Sequence, residues 1–434
     1  MNARSRLVTI VTAGSRGDVQ PYLALGVGLA RAGLRVRLAT HENFRATVEA
    51  HGLEFAPVTG DPQAVLRAPG ADRWLASGRR RGALGFAREM RRLAGPLFTN
   101  SLDDFWHAAD GADALLYSLV CTPVWQVAER LGIPSWGAYL QPATRTGAFP
   151  AVGFPPAPHL GATFNRATHR AVEQLAWRPF RRALDAWRDR TLSAPPMPSG
   201  GPFALMGRQQ APVLYGFSRA VVPPPADWPP AVRVTGYWFL DEPAGWQPPD
   251  ALARFLADGP PPVYIGFGSM TPQNATRLTR IALDALALAG VRGLLGSGWG
   301  TLGSGELPSW AHAVGDVPHA WLFPRTGAVV HHGGAGTTGA GFRAGVPSII
   351  VPLGFDQGFW GARAHALGVG PRPIPRRQLT AERLAAAIRH ALKDDTRHRA
   401  AMLGLRIRGE DGVGDAVAAV TAGLAAHYRV ADAG

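Results

Sequence analysis

One segment limits the fold of this 434-residue chain more than any other: Val330-His331-His332-Gly333-Gly334-Ala335-Gly336-Thr337-Thr338. An apolar run ends, a glycine-rich turn follows, and a helix begins, the junction on which α/β sheets are built. Such a turn offers backbone N–H groups at a helix start beside hydroxyls and an imidazole, a set that suits a diphosphate. After a second buried-type run at 348–351 come Asp356 and Gln357. A carboxylate and an amide there suit sugar hydroxyls, because the first accepts and the second both donates and accepts. Taken together, the two segments predict a nucleotide-sugar site and a glycosyl-transfer reaction. The competing structural readings are a tight turn with incidental histidines, and Asp356 as the N-cap of the helix that follows it.

A similar junction opens the chain. Leu7-Val8-Thr9-Ile10-Val11 leads to Gly14-Ser15-Arg16-Gly17-Asp18, then to an apolar helix pattern over 21–32, with Gly33 ending it and a strand predicted at 34–39. Further strands are predicted at Ala114–Tyr117 and 134–138. The stretch from about 60 to 200 is irregular, with helical pieces such as 163–192. Prolines crowd 223–262, where they stiffen a connection and interrupt helix and central strand. The pattern then restarts with Val263-Tyr264-Ile265-Gly266-Phe267-Gly268-Ser269. A helix at 277–289 and strands at 292–295, Ala328–His331 and 348–351 follow, then helices at 381–392 and 415–427. The expected fold is α/β, two doubly wound Rossmann-like domains facing each other across a cleft. Its expected divisions are an acceptor-binding domain (1–222), a proline-rich linker (223–261), a nucleotide-sugar-binding domain (262–414) and a closing helix (415–434) packing back on the first domain. In such sheets ligands bind at the carboxyl ends of strands, where each glycine turn lies.

The bulk numbers exclude several classes. A single cysteine, Cys121, rules out a disulfide framework and suits a reducing compartment. The first apolar run is too short for a signal sequence and no run is long enough to span a bilayer, so a cytoplasmic protein is expected. The formal charge of +14 is almost all arginine, Lys393 being the only lysine. The arginines are dispersed, and without a helix-turn-helix pattern, zinc spacing or RNA-binding motif no nucleic-acid partner is expected. Their one cluster, Arg79, Arg80, Arg81, Arg88, Arg91 and Arg92, is interleaved with apolar residues. It reads either as the solvated face of a helix or as a peripheral membrane contact.

Among single residues, Gly268 and Ser269 suit the same phosphates and Trp299 a base or ribose; each has an ordinary turn or packing reading beside it. His331 is expected to give a charge-assisted hydrogen bond to a phosphate oxygen. Asp18, at the end of the first strand, is placed to take a proton from an acceptor hydroxyl or, more plainly, to cap the following helix. No Asp-x-Asp triplet occurs, so no metal is expected, and the leaving charge falls to His331, the helix pole and N–H groups. No other cofactor is expected.

These residues resemble glycosyltransferase family one, the GT-B enzymes, and most of all the branch of sterol glucosyltransferases and bacterial antibiotic glycosyltransferases. The resemblance is carried by 13–21 (AGSRGDVQP), 317–324 (VPHAWLFP), 330–338 (VHHGGAGTT), 343–347 (RAGVP), 356–363 (DQGFWGAR) and 366–371 (ALGVGP). It implies an inverting, metal-independent transfer of a hexose, glucose in the first place, from a UDP-sugar. The acceptor would be a hydroxyl of a hydrophobic small molecule: sterol-like, polyketide, terpenoid or phenolic. A dTDP-deoxysugar transferase, a nucleotide-sugar epimerase and a non-catalytic helper protein are the alternatives. By the same resemblance Gly333, Gly336 and Thr337 cradle the diphosphate, His331 meets a phosphate, and the main chain of Val317 meets the base; Gly14, Ser15 and Gly334 are further donor-binding candidates. Asp356 and Gln357 would hold the sugar, and Asp18 would be the base.

Overall fold

The computed structural model describes residues 5–60, 82–154, 160–240, 246–267, 272–296, 306–354 and 356–433. The chain divides into two compact units. The first comprises residues 1–219, 223–240 and 411–434, and the second 220–222 and 241–410.

The first unit is built on a seven-stranded sheet of order β3-β2-β1-β4-β5-β6-β7, every pair parallel. Its strands are β1 (Leu7–Val11), β2 (Arg35–Thr40), β3 (Glu54–Pro57), β4 (Ala114–Tyr117), β5 (Ser135–Tyr139), β6 (Val213–Tyr215) and β7 (Val232–Val234). β1 and β4 are buried along their whole length. That is why they read as near-continuous apolar runs: helices cover both faces of a parallel sheet, so no alternation is needed. The closing helix Gly412–Ala433 lies on the helix Arg16–Arg31, where Gly28 leaves room for Val413 and Val417, and Tyr428 Oη donates to the Asp113 carbonyl at 2.8 Å.

The second unit has a five-stranded parallel sheet of order β10-β9-β8-β11-β12. It comprises β8 (Val263–Gly266), β9 (Gly293–Gly296), β10 (Ala311–Val314), β11 (Ala328–His331) and β12 (Ser348–Ile350). Successive residues serve opposite faces. Ile265 and Val330 join Leu286, Leu384 and Ile388 on one side, while Tyr264 and Val329 join Leu252, Leu322 and Phe323 on the other.

The structure departs from the sequence expectations where edges and helix starts are concerned. The stretch 223–261, expected as a linker, supplies β7 and the helix Asp250–Ala257. β7 follows Pro229 and Pro230 and forms the outer edge of its sheet, the position that tolerates prolines nearby. The first helix begins at Arg16, and Ser15, not Asp18, is its N-cap. The short β3, β6 and β10 have no counterpart among the predicted strands. Among the described residues no helix is long and apolar enough to cross a membrane. Arg79, Arg80 and Arg81 lie outside the described residues.

Both sheets reverse direction beside a glycine turn. In the first unit the chain steps from β1 outward to β2 and β3, then returns to place β4 on the other side of β1. In the second it steps from β8 to β9 and β10, then places β11 on the other side of β8. The gaps after β1 and β11 are therefore the crevices that doubly wound sheets offer to ligands.

Candidate functional site

The turn after β1 is closed upon itself. Gly14 has φ +141°, and a Cβ there would lie 2.5 Å from Asp18 Oδ2, so only glycine fits beneath that carboxylate. Ser15 donates to the same oxygen twice, from its N–H and its hydroxyl, each at 2.9 Å. The Gly14 N–H donates to His41 Nε2 at 3.0 Å. Thr12 Oγ1 holds the Asp18 carbonyl at 2.9 Å, and Tyr22 Oη ties the helix to the Ala138 carbonyl of β5 at 2.7 Å. Asp18 is thus the third helical residue of a capping arrangement, its charge at the positive helix pole. Its Oδ1 has no partner among the described residues.

Although the Asp18 residue keeps exposed surface, desolvation by the surrounding protein raises its carboxyl above the ordinary value. The two Ser15 hydrogen bonds oppose that rise and do not cancel it. The direction is the one a base needs, since a higher pKa binds a proton more firmly. Of the expected donor-binding residues Gly14 and Ser15, the first gives its N–H to His41 and the second to Asp18.

The turn after β11 has the same outline and the opposite inventory. His331, fully buried, ends the strand opposite Gly266 of β8 and Ile350 of β12. Gly333, at φ +94°, packs so closely that a Cβ would lie 2.6 Å from Ile350 Cγ2 and 3.0 Å from the Gln357 carbonyl. The helix Ala335–Ala344 then starts from Gly334, a cap with no side chain to give. Its first internal bond is Thr338 N–H to the Gly334 carbonyl at 2.9 Å, which leaves the N–H groups of Ala335, Gly336 and Thr337 without acceptors in the helix. His331 Nε2, His332 Nδ1, Thr338 Oγ1 and Ser348 Oγ are buried without partners among the described residues.

His331 is a neutral donor, so the charge in the expected charge-assisted hydrogen bond would come from the phosphate alone. Its Nδ1 accepts the Gly333 N–H at 3.1 Å, so the ring proton lies on Nε2. Burial pushes the imidazole well below its ordinary pKa, with His332 and His319 acting in the same sense. Burial also lowers His332, to about 4. A neutral N–H donor is therefore what β11 presents.

The second predicted segment meets the first. The Val351 N–H bonds the His331 carbonyl at 2.9 Å, and the turn beyond β12 brings Gln357 against Gly333. Asp356 precedes the helix Gln357–Ala366, but its side chain makes no capping bond; Oδ2 takes the indole N–H of Trp360 at 2.8 Å. Gln357 Oε1 accepts two N–H groups, Leu353 at 2.7 Å and Gly354 at 3.1 Å. The amide expected both to donate and to accept is left as a donor only. Val317 is buried in the core beside Leu322 and Phe323, and its main chain makes no hydrogen bond among the described residues. Gly268, Ser269 and Trp299 lie outside the described residues.

Among the residues that shape these turns, the sequence reading leaves out His41. His41 was open to discovery by the rule that found Asp18, a polar residue just beyond a strand adjacent to β1.

Comparison with known proteins bears on both turns. The glycosyltransferase family 28 N-terminal domain matches residues 8–150, and the erythromycin biosynthesis protein CIII-like C-terminal domain matches 301–411. A sterol 3-beta-glucosyltransferase of Emericella nidulans is 38% identical over 426 residues, covering 95% of this chain. The chain spans only 30% of that relative's length. Among solved structures, the glycotransferase of kitacinnamycin superposes with a TM-score of 0.70 at 20% identity, covering 97% of this chain and all of its own. The glycosyltransferase VinC, solved in complex with DTDP, gives 0.64 at 19% identity, covering 99% and 100%.

Proposed function

This chain belongs to the GT-B glycosyltransferases, and from that premise we propose that it transfers a hexose, glucose first, from a UDP-sugar to a hydroxyl of a hydrophobic small molecule. A sterol-like acceptor leads the list because of the sterol glucosyltransferase relative; polyketide, terpenoid and phenolic alcohols follow.

One observation carries the reading. The turn after β11 holds unmet N–H and O–H donors at a helix pole, while the turn after β1 has filled its own pole with Asp18. A set of N–H and O–H donors suits an anion rather than a cation. In the proposed reaction the diphosphate lies against Gly333, Gly334, Gly336 and Thr337, with His331 Nε2–H aimed at a phosphate oxygen. Asp356 and the Gln357 amide hold sugar hydroxyls. The acceptor oxygen attacks the anomeric carbon, the bond to the diphosphate breaks, and its electron pair leaves with UDP. The acceptor proton passes to Asp18 Oδ1, and the configuration inverts.

The test is to incubate the protein with UDP-glucose and a panel of a sterol and polyketide, terpenoid and phenolic alcohols, and to weigh the products. A glycoside formed in step with UDP supports the reading. UDP released without glycoside, or sugar interconverted without acceptor, overturns it. The DTDP complex among the structural neighbours makes dTDP-sugars the second donor class to supply.

A further inference from the structure

We propose that His41 is a positioning residue, which acts on transfer by fixing the turn that aims Asp18. The inference rests on the reading of Asp18 as the base. His41 follows β2 and is almost fully buried, at 5% exposure. Its Nδ1 lies 3.1 Å from the Val58 carbonyl, so that nitrogen carries the proton and donates. Its Nε2 therefore accepts, and what it accepts is the Gly14 N–H at 3.0 Å. One neutral ring thus ties together the turns beyond β1, β2 and β3.

The next links lead to the carboxylate. Gly14 sits under Asp18 Oδ2 with no room for a side chain, and Ser15 donates twice to that oxygen. If Gly14 turns, Ser15 turns with it, and Oδ2 loses its two donors. Oδ1, the oxygen available for the acceptor proton, then changes place. A shift of about an ångström in such a group costs up to roughly 100-fold in rate. No contact of His41 with substrate is required.

The experiment compares His41→Ala, His41→Gln and His41→Asn, alone and in an Asp18→Asn background, by steady-state kinetics and by calorimetric titration of UDP. Glutamine extends an amide oxygen far enough to accept the Gly14 N–H, whereas asparagine reaches only the Val58 side. We expect His41→Ala and His41→Asn to lower kcat roughly 10- to 100-fold, with KM for the sugar donor and UDP affinity near wild type. His41→Gln should recover most of the rate. In the Asp18→Asn background the same changes should cost nothing further, because a residue acting through Asp18 has nothing left to act on. Full activity of His41→Ala beside an impaired Asp18→Asn overturns the role of His41 alone. An unimpaired Asp18→Asn overturns the reading beneath it. Gln and Asn losing equally, in proportion to lost melting temperature, reduces His41 to a structural residue.

Discussion

The turns after β1 and β11 are built to one plan and finished in opposite ways. Each lies at the reversal of a doubly wound sheet, each needs a glycine with positive φ, and each opens a helix. After β1, a serine caps, an aspartate fills the helix pole, and a histidine takes the glycine N–H. After β11, a glycine caps, no acid is present in the first turn, and the strand-end histidine points an unpartnered N–H inward. The lesson is that a glycine turn at a strand end does not by itself specify an anion site. What decides is whether the chain supplies its own anion. The first turn does and so offers a carboxylate; the second does not and so offers donors.

The comparison breaks first at Asp18. Asp18→Asn should lower kcat roughly 100- to 1,000-fold, the usual scale for losing a general base, with little change in UDP affinity. The wild-type rate should fall on the acid side with an apparent pKa above the ordinary carboxylate value of 3.8, because desolvation raises the group. That limb should vanish in the variant. A variant with an unchanged pH profile makes Asp18 only a cap.

Gly333→Ala tests the other turn by force. The new methyl meets Ile350 and the Gln357 carbonyl in a backbone conformation that alanine resists, for a loss of about 2–3 kcal/mol in stability. Thermal melts should show it, and UDP affinity should fall with it. A variant that melts and binds like wild type means the turn is looser than drawn.

Gln357→Glu sharpens the inventory. The carboxylate still accepts the Leu353 and Gly354 N–H groups, so the turn survives, while the amide donor is lost. KM for the sugar donor should rise several-fold, with affinity for UDP alone less affected; equal loss of both would place Gln357 with the phosphates.

The smallest effect is in acid stability. Burial holds His332 at about 4, below the unfolded value near 6.5, so between those values the unfolded chain binds more protons and stability falls as pH falls. The slope is at most about 1.4 kcal/mol per pH unit for such a group, and less here because His332 is only half-buried. Melting curves at pH 7 and pH 5 should converge in His332→Gln relative to wild type. An unchanged gap removes His332 from the account.

The architecture was legible in the sequence wherever a strand was buried on both faces, since Leu7–Val11, Ala114–Tyr117 and Ala328–His331 are predominantly apolar runs. The short β3, β6 and β10 left little periodicity to read, and prolines hid β7. At the site, residue types and places were legible but protonation and commitment were not. Nothing local indicated that Gly333 would fix the His331 tautomer, that Gln357 would give its oxygen to two backbone groups, or that His41 would take the Gly14 N–H. The last depends on which strands become neighbours, and pairing is decided by the whole sheet, whereas the first two are short-range bonds set by how each turn closes.

The central claim is that the anion belongs to the β11 turn alone. It is tested most directly by titrating UDP calorimetrically onto the wild-type protein, His331→Ala and Asp18→Asn. The account predicts affinity at least roughly 10-fold weaker for His331→Ala, from loss of a buried hydrogen bond, and near wild type for Asp18→Asn. Unchanged binding by His331→Ala, or a loss of binding confined to Asp18→Asn, would contradict it.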